Sequence, residues 1–326
     1  MEKQIPFYSR SYTTVCHPAD AVKADLSDPT AIARYLKSRC YGQDEYVEAA
    51  AMLVYNHNRG ITTRLAVAGP TGCGKSYLWE CVRDIYPKVI FVNSASLTSS
   101  GFRGESVYSF LHGVNPADPD AIVIFDEFDK LCMPKFSMTE NISENLQTEF
   151  LMLVCGKQVP IQKKTEAGTL DLTIDTSHLS FVFAGSWGKS AKAIATEESS
   201  NGFGFGKQTK ACKAYDRELT LEDLQAHGLI QELAGRINRL VNVRPLSLEE
   251  YKSLIKDSEA SPIRRLEKQY GIRLSVSDAM LDEIATKAYS SSLGIRNATV
   301  QLERMVNDAV FKSFSQDHTC PEEIAL

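Results

Sequence analysis

The run Gly69-Pro70-Thr71-Gly72-Cys73-Gly74-Lys75-Ser76 places glycines, a lysine and a hydroxyl at the spacing G-x-x-x-x-G-K-[ST]. Glycines at these positions let the backbone curl so that successive N–H groups converge on a phosphate, and a helix starting at the lysine adds its positive N-terminal end. Lys75 would neutralise charge on β- and γ-phosphates, and the Ser76 hydroxyl would ligate Mg²⁺. Pro70, Thr71 and Cys73 complete the loop and Tyr77 follows in the helix, so these too are expected to contact the nucleotide.

A second chemical signal is acidic. Ala121-Ile122-Val123-Ile124-Phe125 is an apolar run leading directly into Asp126-Glu127. Two adjacent carboxylates at the end of a buried strand can divide their tasks. Asp126 would stand beside Ser76 and hold Mg²⁺ through water, while Glu127 would lie near the γ-phosphate and polarise an attacking water.

Strands and helices must carry these groups to one place. Leu65 to Ala68, Lys88 to Val92, Leu179 to Ala184 and Leu240 to Arg244 read as further buried strands, the last closed by Pro245. Helical spacing begins at Pro29 (Ile32, Tyr35, Leu36) and resumes after Gly42-Gln43-Asp44 (Val47, Ala50, Ala51, Val54, Tyr55). It marks Ser76 to Ile85, Asn141 to Val154, and segments between Thr220 and Arg239; Gly156 to Leu170 reads as a long loop or hairpin. From Ser247 the chain reads as helices near Leu248 to Asp257, Pro262 to Tyr270, Asp278 to Tyr289 and Arg296 to Phe314, with a strand at Gly271 to Ser275. The expected fold is α/β: a large domain over 28–245 with a five-stranded parallel sheet, then a small, mostly helical unit over 246–326. Residues 1–27 lack periodicity and read as an arm.

Several positions carry two readings each. Tyr41 and Gly42, at the turn between the first helices, could face an adenine ring or simply pack helices together. Ser186, just past the Leu179 to Ala184 strand, could sense the γ-phosphate or be a turn serine. Ser99-Ser100-Gly101-Phe102-Arg103-Gly104-Glu105 is either a surface turn or a loop presenting Phe102 to a polymer or partner. Gly202-Phe203-Gly204-Phe205-Gly206 follows no strand, so it is not a dinucleotide fingerprint, and its phenylalanines suit docking to a partner.

Composition narrows the class. A net charge of −5 and a pI near 5.8 argue against a generally nucleic-acid-binding surface. The eight cysteines form no C-x-x-C pair and read as reduced thiols, and the six histidines form no H-E-x-x-H pattern. No apolar run approaches a membrane span and Met1-Glu2-Lys3-Gln4 does not open a signal peptide, so a cytoplasmic protein is expected.

Taken together, the phosphate loop, Ile124-Phe125-Asp126-Glu127-Phe128-Asp129-Lys130, Gly235-Arg236 and Gly294-Ile295-Arg296 resemble the AAA+ ATPases, and within them the ClpX family of protein unfoldases. Tyr41-Gly42-Gln43-Asp44 and Val54-Tyr55-Asn56-His57 also resemble segments of that family, and the likeness runs from about Pro29 to Phe314. The resemblance implies ATP and Mg²⁺ as ligands, a homo-oligomer in the form of a hexameric ring, and protein substrates. It implies that Arg236 reaches a neighbouring subunit's γ-phosphate and that Arg296 links nucleotide state to the lid. Phe102 and Arg103 fall at the family's aromatic pore loop, and Phe203, Gly204 and Phe205 at the loop that docks a ClpP-type peptidase. Phe102 stands for a usual tyrosine, Arg103 for an apolar residue and Phe203 for an aliphatic one, which leaves peptidase docking open. No four-cysteine zinc module precedes the core, and Gln162-Lys163-Lys164 has reduced basic character. A remodeller without a peptidase, or a nucleic-acid-associated motor or loader, shares these motifs and remains an alternative.

Overall fold

The computed structural model describes residues 24–98, 105–136, 141–165, 168–193, 215, 217–259, 261–291, 293–317 and 321–326. Helix α1 (Pro29–Lys37) begins at a proline that has no N–H to leave unpaired, and the Asp28 side chain caps it by accepting from Thr30 N at 2.8 Å. Helix α2 (Asp44–Asn58) buries Tyr46, Val47, Ala50, Ala51 and Val54 along its length. There follow β1 (Arg64–Ala68), α3 (Lys75–Ile85), β2 (Val89–Asn93) and the short parallel pair β3 (Leu97–Thr98) and β4 (Glu105–Ser106). Then come β5 (Ala121–Asp126), α4 (Phe128–Cys132), α5 (Ile142–Val154) and the antiparallel hairpin of β6 (Gln158–Thr165) and β7 (Gly168–Asp175). The hairpin settles the long-loop alternative. β8 (Leu179–Gly185), a helix α6 described over 188–193, α7 (Leu221–Ala226), α8 (Gln231–Ala234) and β9 (Arg239–Asn242) complete this part.

The sheet is five-stranded in the order β2-β5-β8-β1-β9, with each neighbouring pair parallel. Parallel strands need crossovers that cover both faces, so the central strands must be apolar on both sides. In β5, Ala121, Val123 and Phe125 enter one core while Ile122 and Ile124 enter the other. In β8, Leu179, Phe181 and Phe183 lie on the first side and Val182 and Ala184 on the second. Phe125 is the hub of the first core, with its ring 4.8 to 6.4 Å from those of Phe110, Phe128, Phe150, Phe181 and Phe183.

β9 ends at Asn242, not at the expected Arg244. Val243 N still donates to Ala68 O at 2.7 Å, but Arg244 turns to the Gln43 side chain instead, which donates to Arg244 O at 2.8 Å and accepts from its N at 3.3 Å. From Leu246 onward a third core forms around α9 (Leu248–Lys256), α10 (Pro262–Tyr270), α11 (Asp278–Ser290) and α12 (Ile295–Asp317). The expected strand is β10 (Arg273–Ser275), and it pairs in parallel with β11 (Glu323–Ala325), a strand not anticipated from the sequence. No helix among the described residues is long and apolar enough to cross a membrane.

The amino ends of the strands are tied by a buried polar group. His57 Nδ1 lies 3.0 Å from Ser180 Oγ, which also accepts from Thr63 N at 3.0 Å. Asp120 Oδ1 stands 2.9 Å from His57 Nε2 but off the ring N–H axis, and the Tyr86 hydroxyl donates to Asp120 Oδ2 at 2.7 Å. Burial pushes the His57 pKa below its ordinary 6.5, against the opposing pull of Asp120. The unfolded chain therefore takes up this proton first, so stability is full above about pH 6.5 and declines as pH falls below it. Melting temperature should drop between pH 7.5 and 5.5 in the wild type, and His57→Gln, though less stable at neutral pH, should show a flatter decline.

Candidate active site

The chain leaves β1 at Ala68 and passes at once against the backbone that follows β9. Gly69 has φ +154°, and a methyl group there would run into the Val243 carbonyl oxygen. Gly72 (φ +83°) and Gly74 (φ +84°) are left-handed, and Gly74 is the N-cap of α3. The first turn of α3 is pinned from outside, because the buried Tyr46 hydroxyl donates to Lys75 O at 2.6 Å. Lys75 folds back over the loop, with Nζ donating to Gly69 O and Pro70 O at 2.8 Å each. Its burial pulls the ammonium pKa down; Cys73, Asp126 and Asp129 oppose this, while Arg296 adds to it.

Ser76, one residue on, donates its hydroxyl to Asp126 Oδ2. Asp126 is the last residue of β5, two strands across the sheet from β1, and its Oδ1 accepts from Glu127 N at 2.9 Å. Glu127 adopts a left-handed φ of +56°, unusual for a residue with a Cβ, as it turns from β5 into α4. That turn leaves its carboxylate half-exposed and 2.8 Å from Lys130 Nζ. Ser76 and Asp126 together present only oxygen donors, the set that suits Mg²⁺.

Ser186 lies beyond the carboxyl end of β8, where its hydroxyl donates to Asp129 Oδ2 at 2.9 Å and its N–H to Oδ1 at 3.1 Å. Tyr41 is partly exposed in the turn between α1 and α2, and Gly42 beside it (φ +66°) packs on Arg244 and Glu250. Tyr77 is partly exposed on α3 and hydrogen-bonds with Cys81.

A family model, the ATPase family associated with various cellular activities (AAA), matches residues 65–171, which include the phosphate loop and the acidic end of β5. Over 325 aligned residues the chain is 28% identical to the ATP-dependent Clp protease ATP-binding subunit ClpX of Porphyromonas gingivalis, covering 89% of this chain and 78% of that one. The corresponding protein of Treponema denticola is 26% identical, covering 94% of this chain and 81% of its own length. That of Bacteroides thetaiotaomicron is 24% identical over 90% and 80%. The chain is thus similar to ClpX proteins along most of its length.

The two arginines singled out by likeness to that family sit apart. Arg236 follows α8, where Nη1 donates to Glu232 O at 2.6 Å and Nε to Cys155 Sγ at 3.1 Å. Its charge bears on Arg64, the first residue of β1, so it stands by the amino end of a strand whose carboxyl end carries the phosphate loop. Arg296, in the first turn of α12, is close enough to Lys75 and Glu80 to bear on the charge of both. The residue before α12, Gly294 (φ +56°), touches the loop itself: a methyl on Gly72 would lie 2.8 Å from Leu293 O and 3.2 Å from Gly294 Cα. Phe102 and Arg103, and Phe203, Gly204 and Phe205, lie outside the described residues.

Sequence reasoning passed over Asp129, Gln43 and the Arg244–Glu250 pair, in which Nη1 and Nη2 reach the two carboxylate oxygens at 2.9 and 2.5 Å. Asp129 had a readable signal, since it is a third carboxylate only three residues after Asp126 at the end of the same apolar run. Gln43 and Arg244 are 201 positions apart and had none.

Gly72 and Gly74 offer a contrast. Nothing lies within 4 Å of a methyl at Gly74, so alanine there carries only the left-handed penalty of about 1–2 kcal/mol. At Gly72 alanine also displaces Leu293. In nucleotide-free protein, Gly72→Ala should lower the melting temperature more than Gly74→Ala; equal drops would show that the start of α12 does not rest on the loop.

Proposed function

We propose that the chain hydrolyses ATP and uses the cycle to unfold or remodel proteins. The observation that carries the reading is the meeting of the Ser76 hydroxyl with the Asp126 carboxylate, followed in the chain by the half-exposed Glu127 carboxylate, which pairs with Lys130. On nucleotide binding, Lys75 would exchange two loop carbonyls for phosphate oxygens, and Ser76 with Asp126 would hold Mg²⁺. The metal would neutralise phosphate charge as the bond to the γ-phosphate breaks. Glu127 orients the attacking water and accepts its proton, a role that needs the exchange of Lys130 for a water hydrogen bond.

Arg236 serves a neighbouring subunit in this reading. β1 spans roughly 13 Å at about 3.3 Å per residue, and Arg236 stands at its far end from its own loop. A guanidinium so placed completes a site only across an interface, which supports a ring, in keeping with a hexamer. Arg296 and Gly294 connect the loop to α12, so a change in the phosphates is felt by the helical unit. The relatives are named as ATP-binding subunits of a Clp protease. On that likeness polypeptide is threaded past Phe102 and Arg103, and a ClpP-type peptidase docks at Phe203-Gly204-Phe205.

Glu127→Gln should bind ATP and assemble as the wild type does while losing turnover by about 10²-fold or more; retained hydrolysis would remove Glu127 from this role. Arg236→Ala should bind ATP without hydrolysing it, and mixing it with Glu127→Gln protein should restore turnover, because a mixed ring contains intact composite sites. Absence of complementation would place Arg236 in its own subunit's site or outside catalysis.

A further inference from the structure

We propose that Asp129 is a positioning residue of the hydrolytic site, one that grips Ser186 and competes with the γ-phosphate for the proton of its hydroxyl. The proposal rests on the ATPase reading above.

Asp129 binds the segment after β8 through three donors: Ser186 N to Oδ1 at 3.1 Å, Ser186 Oγ to Oδ2 at 2.9 Å and Trp187 N to Oδ2 at 3.3 Å. Such an approach is possible because residue 185 is glycine. A methyl there would stand 2.8 Å from Asp129 Oδ1 and 2.9 Å from Asp129 N. The Tyr215 hydroxyl holds the other side of Ser186, donating to its carbonyl at 2.8 Å. Ser186 is therefore fixed at its nitrogen, its carbonyl and its hydroxyl, and the carboxylate doing most of this lies two residues after Glu127 in the first turn of α4.

A serine hydroxyl has one proton to donate. While Oδ2 holds it, Ser186 offers a phosphate oxygen only lone pairs, and two acceptors facing each other repel. A γ-phosphate must therefore take the proton from Asp129, leaving that carboxylate with its two backbone N–H donors. Asp129 also lies close enough to Lys75 to favour its charged form, so its negative charge faces the phosphates as well. Two consequences follow. Ser186 is returned to one reference position whenever the γ-phosphate leaves, which couples the ends of β5 and β8. The charge opposes nucleotide binding, so removing it weakens turnover without weakening affinity.

Asp129→Asn keeps the shape, removes the charge and puts an NH₂ where an acceptor oxygen stood. Turnover should fall at least tenfold, whereas the Kd for a fluorescent non-hydrolysable ATP analogue should be unchanged or several-fold tighter. In a Ser186→Ala background, Asp129→Asn should change kcat by no more than about twofold, as expected of two residues acting as a unit. Asp129→Glu, which restores the charge and both acceptors, should recover part of the turnover. Turnover within twofold of wild type, a weaker analogue Kd, or fully additive losses in the double variant would each overturn the proposal. If the wild type itself fails to hydrolyse ATP, the ATPase reading falls, and the direction of the analogue Kd decides the charge argument by itself. Melting temperatures of all variants separate these effects from unfolding, since an unfolded fraction weakens analogue binding and cannot tighten it.

Discussion

The hydrogen bond from Ser76 to Asp126 depends on nearly everything else in the large domain. Its partners end different strands' excursions, β1 through the glycine loop and β5 directly, and β8 lies between them. Neighbouring strands stand about 4.8 Å apart, so a gap of roughly 10 Å must be crossed. The loop and the first turn of α3 cross it, and only with the loop's backbone pressed to Val243 and its helix pinned by Tyr46 does the hydroxyl arrive. Strand register supplies the other half. Ala68 pairs with Gly185 and Phe125 with Phe183, which sets Asp126 level with Ala184 and the loop just beyond it.

Rigidity at Asp126 comes from the residue before it. Phe125 is fully buried among five other phenylalanines on β8, α4, α5 and the segment before β5. A side chain so enclosed cannot change rotamer without displacing its neighbours, and the acidic pair inherits that immobility. The left-handed turn at Glu127 then separates the two carboxylates by direction, one toward Ser76 and the other toward solvent. Two identical functional groups, adjacent in sequence, acquire different chemistry from one backbone angle.

Much of this was legible in the sequence because it is local. The glycine spacing, the run from Ala121 to Phe125 into acid, the Asp28-Pro29 helix start and the helices after Ser247 each declare themselves within a few residues, and each lies where expected to within a few positions. Strand order was not legible, since nothing in Leu179 to Ala184 says that it enters between β1 and β5. Nor was β11, a three-residue strand that exists only because β10 offers it an edge. The early end of β9 has the same origin, for Gln43, 201 positions earlier in the chain, takes up both backbone groups of Arg244. Asp129 falls between these cases: its position was visible, and its task depended on a glycine in another strand.

Glu250 stands at the junction of the two parts of the chain. It closes the capping box at the start of α9, accepting from Ser247 N at 2.8 Å, and with the same oxygens it takes the Arg244 guanidinium in a two-pronged grip. That grip holds its pKa down to about 2, with the Ser247 bonds in support, so it stays ionised throughout the range in which proteins work. A planar guanidinium–carboxylate pair resists twisting more than it adds stability. The pair therefore works as a rivet: the turn at 41–44, the end of β9 and the first turn of α9 meet at one point, fastened by an ion pair that no ordinary change of pH releases.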